Sequence, residues 1–306
     1  MEANRCAGVV ACWFIGYDMS DYVIISDLTM DLPSDLKDSF NILTLPMDVL
    51  IDDKVYSGDS VDICEFYEKI RQKVPVSTTQ INPSEFEEYF NKYFEQGKDI
   101  IYLCLSSKLS GMYNSACLAM NELKIRFPER KLRVIDSLSA SLGIGYLAFK
   151  ASKMRSQGAG IDETADWLDK NKHKICHWFV VDDLYHLKRG GRISGSTAFV
   201  GSMMNIKPIL KIDKDGALSV CESVRGRKKA FATLISKLEE CIQKKDMSNE
   251  PIYIAHADCE DDAKFLAEEI SKKFGIKNVV IHSITPVIGA HTGADTVAII
   301  FPGIER

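Results

Sequence analysis

Hydrophobic positions along the chain switch repeatedly between two periods. Tyr22–Ser26 (YVIIS) is a short β-branched run, and Asn41–Ile51 (NILTLPMDVLI) is a second, interrupted by Pro46. Asp62–Gln72 instead shows helical spacing, with Ile63, Phe66, Tyr67 and Ile70 on one side. Pro83 opens a further helix, with Ser84 in its first turn and Phe86, Tyr89, Phe90 and Tyr93 on one face. Asp99–Leu105 (DIIYLCL) is continuously apolar, the mark of a strand covered on both faces. A helix over Tyr113–Lys124, a strand over Leu132–Asp136 and a helix over Ala140–Gln157 follow. Strands alternating with helices predict a parallel sheet with right-handed crossovers.

The texture changes after Gln157-Gly-Ala-Gly160. Beyond a helix at Ile161–Asn171 come a strand at Trp178–Val181, a helix, a loop rich in Gly and Arg, and a helix of small and Met residues around Ala198–Met204. A hairpin is predicted from Ile209–Ile212 and Leu218–Val224 around a turn at Asp213–Gly216, then an amphipathic helix at Lys228–Lys244. Strands near Ile252–His256, Val279–Ser283 and Thr296–Phe301 complete the pattern. The expected fold class is α/β: a parallel-sheet α/β/α domain over 19–160 and an α+β domain over 161–306. No internal repeat is visible.

Composition narrows the function. The chain has 306 residues, 46% hydrophobic and 26% charged, which fits two globular domains. A net charge of −5 argues against nucleic acid as the main partner. Nine cysteines, an odd number without a CxxC pair, suit reduced thiols packed as small hydrophobes in a cytoplasmic protein and leave no structural metal motif. The longest N-terminal apolar run, Cys6–Tyr17, is too short to span a bilayer and is followed by Asp18 and Asp21, so neither membrane insertion nor a secretory signal is expected. Residues 1–18 read as an upstream extension, with the working domain beginning near Met19.

Four segments carry candidate chemistry. Ser106-Ser-Lys-Leu-Ser-Gly111 follows the most apolar strand and precedes a helix, where hydroxyls and free N–H groups make an anion site. Serine is also a common helix cap, so both readings stand. Ser77-Thr-Thr-Gln80 places three hydroxyls in a loop before the helix at Pro83, again suited to a turn or to a ligand. Ile288-Gly-Ala-His-Thr-Gly293 frames His291 between glycines that permit close approach of a ligand, which sets it apart from the other five histidines. Leu187-Lys-Arg-Gly-Gly-Arg-Ile-Ser194, with Arg225, Arg227, Lys228 and Lys229, forms either a partner-steering patch or a solvated face. A P-loop and a G-x-S-x-G elbow are absent. Gly143-Ile-Gly-Tyr-Leu-Ala148 spells G-x-G-x-x-A inside a helical run, so its glycines read as close-packing sites rather than as a dinucleotide fingerprint. Asp258–Asp262 reads as an acidic helix start rather than a metal site.

Together these segments resemble the DegV family of bacterial fatty-acid-binding proteins, some of which serve as the binding subunit of fatty acid kinase. The resemblance rests on Ser26-Asp-Leu-Thr-Met-Asp-Leu-Pro33, Thr78-Thr-Gln80, Ser106-Ser-Lys-Leu-Ser-Gly-Met-Tyr113, Val134-Ile-Asp-Ser137, Leu187–Ser194 and Gly289-Ala-His-Thr-Gly293, in the family's order. It departs at Leu28, where a serine is usual, at Met112, where a threonine is usual, and at Ile81, where a proline is usual.

The resemblance implies a long-chain fatty acid held in a tunnel between the two domains. Its carboxylate would be bound by Thr78 and Ser110 with His291 close by, and Thr79, Ser106, Ser107, Gly111, Gly289 and Thr292 belong to the same ligand-binding segments. Arg189, Arg192 and Arg225, with Arg227 beside them, become the expected kinase-docking face. Ala198–Met204 is a candidate tunnel wall. The implied protein is a carrier without catalysis or cofactor of its own. The competing reading is an acyl hydrolase or transferase pairing one of these serines with His291.

Overall fold

The structure, a computed structural model, describes residues 21–182, 184–193, 205–243, 247 and 250–306. Residues 1–18 and Ala198–Met204, which carried two of the expectations above, lie outside the described residues.

The first half runs β1 (Tyr22–Asp27), α1 (Ser34–Ser39), β2 (Ile42–Leu45), β3 (Asp48–Ile51), β4 (Lys54–Ser57), α2 (Ile63–Arg71), β5 (Val76–Thr78), α3 (Pro83–Glu95), β6 (Asp99–Cys104), α4 (Met112–Arg126), β7 (Leu132–Asp136), α5 (Leu142–Ser156) and α6 (Ile161–Asn171). The expected parallel sheet is present in the order β2-β1-β6-β7. The apolar run becomes β6, buried from Ile100 onwards, as a central strand covered on both faces requires.

Pro46 divides the second apolar run between two sheets. Residues before it pair with β1, whereas β3 joins a small antiparallel sheet of order β4-β3-β5. The β3–β4 hairpin turns on Asp52 and Asp53, both at positive φ (51° and 59°), the geometry of a type I′ turn. Asn82 caps α3 reciprocally with Glu85.

The second half contains β8 (Ile175–Val180), α7 (Tyr185–Arg189), β9 (Ile206–Ile212), β10 (Leu218–Arg225), α8 (Arg227–Ile242), β11 (Ile252–His256), α9 (Glu260–Phe274), β12 (Val279–Ser283), α10 (Pro286–Thr292) and β13 (Val297–Pro302). Its six-stranded sheet has the order β10-β9-β8-β13-β11-β12, antiparallel except between β11 and β12. Both faces of its centre are covered, and alternation along each strand sorts the side chains. Cys176, Trp178, Val180, Val297, Ile299 and Phe301 share a core with residues of α8 and α9. Phe179, Ala298 and Ile300 join the core of the first half.

Helix α5 explains how the two halves meet. It packs against β1 and β6 of one sheet and β8, β11 and β13 of the other. Leu142–Ala148 is accordingly buried without a break, the pattern of a helix with no solvent face. A side chain on Gly143 would collide with the His177 ring, and one on Gly145 would press on Leu32 and the Met30 carbonyl. Helix α6, C-terminal to residue 160, also lies on the parallel sheet, against β6, β7 and α5. The chain crosses to the second sheet through the turn at Lys172–Lys174.

Side-chain bonds bind the halves further. Arg71 pairs with Asp258 and Asp295. Arg306 donates to the carbonyls of Leu138, Lys172 and Ile175 and to Ser139 Oγ.

Candidate ligand site

A cavity of about 360 Å³ lies between the two sheets. Phe179, Ala298 and Ile300 wall it from the second sheet, with His177 beside them because Ile300 pairs with His177 and Ala298 with Phe179. Leu105, Leu109 and Ala140 wall it from the loops after β6 and β7. Loops beyond the carboxyl ends of parallel strands are where an open α/β sheet places a ligand.

Four polar groups from four separate elements converge on one part of the wall. Thr78 ends β5, Ser110 precedes α4, Arg192 follows α7, and His291 lies on α10. Thr78 Oγ1 is 2.9 Å from His291 Nε2. Ser110 Oγ accepts from the Met112 amide (3.3 Å), which leaves its O–H to donate. Arg192 donates Nε to the Leu109 carbonyl (3.1 Å) and Nη1 to the Gly190 carbonyl (2.5 Å), so its guanidinium is fixed at the wall. Burial, reinforced by Arg192, Arg189 and His186, lowers the His291 pKa to about 4. The constellation near neutral pH is therefore one cation, one neutral imidazole and hydroxyls, which suits a monoanion.

Three further polar wall groups are committed inward. Thr29 donates to Asp27, Ser141 to Asp31, and Thr296 to the carbonyls of Thr292 and Gly293. They offer a ligand no further donor. Burial raises the pKa of Asp31 to about 7 and also raises that of Asp27. Asp31 also accepts the Thr285 amide at the start of α10, and Leu28 O accepts Thr285 Oγ1. The first half thereby holds the helix that carries His291.

The segments singled out in the sequence divide between wall and scaffold. Thr78, Thr79, Ser110, His291 and Thr292 line the cavity. Ser106 does not; it is buried and donates to the Gly216 carbonyl (2.7 Å), joining the serine loop to the β9–β10 hairpin. Ser107 is exposed, with its amide on Asp136. Gly111 starts α4 against Gln80, the wall residue that ends the Thr78-Thr-Gln80 segment. Gly289 lies inside α10 rather than in a loop, and its bare face lets Tyr67 approach, with Tyr67 Cζ only 2.9 Å from where a Cβ would stand. Thr78 ends a strand rather than sitting in a loop.

Arg192, grouped with the docking residues on sequence, lines the cavity wall. Arg189 is exposed and ties α7 to the Val76 carbonyl, and Arg225 is exposed at the end of β10. Arg227 is paired with Asp262 and Asp182. Leu28 and Met112 are buried away from the cavity, so the hydroxyls missing there take nothing from its wall. The hydrogen bond of His291 runs to Thr78 and not to Ser106, Ser107 or Ser110, which leaves a serine hydrolase without its nucleophile–base contact.

The His291 environment has a pH signature. Its folded value of about 4 lies below the unfolded value of about 6.5, so its contribution is present above pH 6.5 and lost as the pH falls toward 4. Asp31 acts in the opposite sense, because its raised value favours the folded state as the pH falls below about 7. The difference between the protein and a His291→Gln variant isolates the imidazole. In denaturant titrations that difference should shift against the wild type by on the order of 2 kcal/mol between pH 7.5 and 4.5. A constant difference would contradict a buried neutral imidazole.

Comparison with known proteins adds the following. The model of an uncharacterised protein family, DegV, matches residues 21–302. A DegV domain-containing protein of Clostridium perfringens is 40% identical, over 93% of this chain and 98% of its own. A structure described as a DegV lipid binding protein, from Thermotoga maritima, superposes with a TM-score of 0.82 at 31% identity and covers 94% of this chain and 99% of that one. A DegV family protein from Thermus thermophilus, whose structure is described by its fatty acid binding, gives 0.83 at 27% identity, covering 93% and 100%. Among the described residues, no helix is long and apolar enough to cross a membrane, and no group of three or more metal-ligating side chains occurs.

Proposed function

The chain belongs to the DegV family, and on that premise we propose that it is a carrier that binds a long-chain fatty acid in the inter-sheet cavity and presents it to a separate kinase. The observation that carries this reading is the convergence of Thr78, Ser110, Arg192 and His291 on one part of an otherwise largely apolar cavity. The carboxylate lies at those four residues, and the acyl chain lies against Phe179, Ala298 and Ile300.

The energetics are adequate. A chain of about fifteen carbons beyond the carboxyl gains at most ~12 kcal/mol at ~0.8 kcal/mol per buried CH₂. Immobilising it offsets several kcal/mol. The head-group contacts then serve mainly to avoid a desolvation cost and to select an acid. Exposed Arg189 and Arg225 are what remains of the basic docking face.

Solvent extraction of the purified protein followed by mass spectrometry should recover about one fatty acid per chain. Ser110→Ala and Thr78→Ala should each weaken acid binding by about 1–2 kcal/mol. Absence of any bound or bindable fatty acid, or equal affinity for an acid and its methyl ester, would overturn the assignment.

A further inference from the structure

Away from the cavity, on the opposite face of the second sheet, two thiols meet. Cys176 on β8 is buried and Cys241, in the last turn of α8, is partly exposed. Their sulfurs lie close enough to hydrogen-bond. Both crowd Gly303: a Cβ there would stand 2.5 Å from Cys176 Sγ and 3.5 Å from Cys241 Cβ, so the bare glycine is what leaves room for the pair. The Glu305 carbonyl, 3.4 Å from Cys176 Sγ, is an alternative acceptor for its single S–H.

The two thiols differ in character. Hydrogen bonds from Cys176 and Trp178, working against burial, bring Cys241 down to about 7. The bond to Cys241, together with burial, pushes Cys176 far above the usual thiol range. A partly exposed thiolate beside a buried thiol is the arrangement of an oxidisable thiol with its resolving partner.

We propose that Cys176 and Cys241 form a dithiol oxidised by a small peroxide, Cys241 being the attacking sulfur and Cys176 the resolving one. The Cys241 thiolate attacks hydrogen peroxide, breaking the O–O bond to give a sulfenic acid and hydroxide. Cys176 sulfur then displaces the sulfenic hydroxyl to form the S–S bond. The proton of the Cys176 thiol and the one lost earlier by Cys241 leave with the two oxygens as water. The two sulfurs are oxidised, the peroxide is reduced, and two waters result. The cross-link joins the last turn of α8 to β8, the strand whose other side carries His177 and Phe179 of the cavity wall. A peroxide is favoured over a bulky disulfide oxidant because the attacking Cys241 is itself only partly exposed.

Rate alone is a weak signature. At neutral pH a thiol of pKa near 7 holds roughly sixteen times more thiolate than an ordinary one, but its lower nucleophilicity cuts the net advantage to roughly threefold. The product is decisive. The full-length protein is treated with hydrogen peroxide, alkylated and mapped by non-reducing peptide mass spectrometry. The expected result is a dithiothreitol-reversible link between the Cys176 and Cys241 peptides. Cys241→Ser should abolish the link and leave Cys176 reduced, and Cys176→Ala should leave Cys241 as a sulfenic acid trapped by dimedone. The proposal is overturned if Cys241 proceeds to sulfinic acid without linkage to Cys176. It is equally overturned if Cys241 survives while exposed Cys64 and Cys221 are consumed. The wild-type map decides even if a variant fails to fold.

Discussion

Replacing Arg192 by methionine is expected to weaken long-chain fatty acid binding by about 10- to 100-fold while leaving the matching fatty alcohol largely unaffected. Hydrogen bonds to charged groups are worth about 1.5–3 kcal/mol, and each 1.4 kcal/mol is tenfold. The guanidinium is already fixed by the Leu109 and Gly190 carbonyls, so little side-chain entropy is lost when an anion arrives. Methionine keeps the length and apolar stem but loses the charge. The alcohol separates a lost charge contact from a loosened loop, since loosening would weaken both ligands. Arg192→Lys should fall between, because a lysine restores the charge without the planar fork. Isothermal calorimetry with both ligands checks this. Unchanged acid affinity in Arg192→Met would return the residue to the docking face.

The second large effect concerns Gly143. A Cβ there would overlap His177 Nε2 and stand 2.7 Å from Cε1. Neither neighbour can yield easily: α5 is wedged between the sheets, and His177 is held by its strand and by Nδ1 on the Ile175 carbonyl (3.0 Å). Overpacking of this kind costs about 1–3 kcal/mol and occasionally more. Gly143→Ala should sit at the upper end by chemical denaturation, and the ring displaced toward the cavity should weaken long acyl chains more than short ones. Removing the ring makes the test specific. In a double-mutant cycle Gly143→Ala should cost far less on a His177→Ala background, because the two residues are in direct contact. Additive effects would show that the collision is relieved elsewhere.

How much of this was legible in the sequence follows from the range of each signal. Local periodicity sufficed for β1, β6 and α5, since buried strands and helices write their burial into adjacent residues. The hydroxyl segments around Thr78 and Ser110 and the framed His291 were visible because glycines and hydroxyls cluster locally. Strand β4 was not, because four mostly exposed residues carry no apolar alternation and the Asp52–Asp53 turn lacks glycine. His177 looked ordinary, since its place in the wall depends on pairing with Ile300, a hundred residues and more away. The place of Arg192 in the wall was hidden for a related reason. A charge in a basic run resembles its neighbours until the fold shows that Arg189 and Arg225 face solvent while Arg192 faces the cavity. The partnership of Cys176 and Cys241 likewise requires α8 to lie across β8.

The cavity wall drawn from both sheets has a thermodynamic consequence. It sets Phe179, Ala298, Ile300 and Leu105 just where the two halves meet. An occupant touches both halves at once, so its binding free energy is added to their cohesion. Mass action then makes the melting temperature rise with the logarithm of free ligand concentration once that exceeds the dissociation constant. The same reciprocity runs backwards: any substitution that loosens one half from the other lowers the affinity for the ligand without touching it.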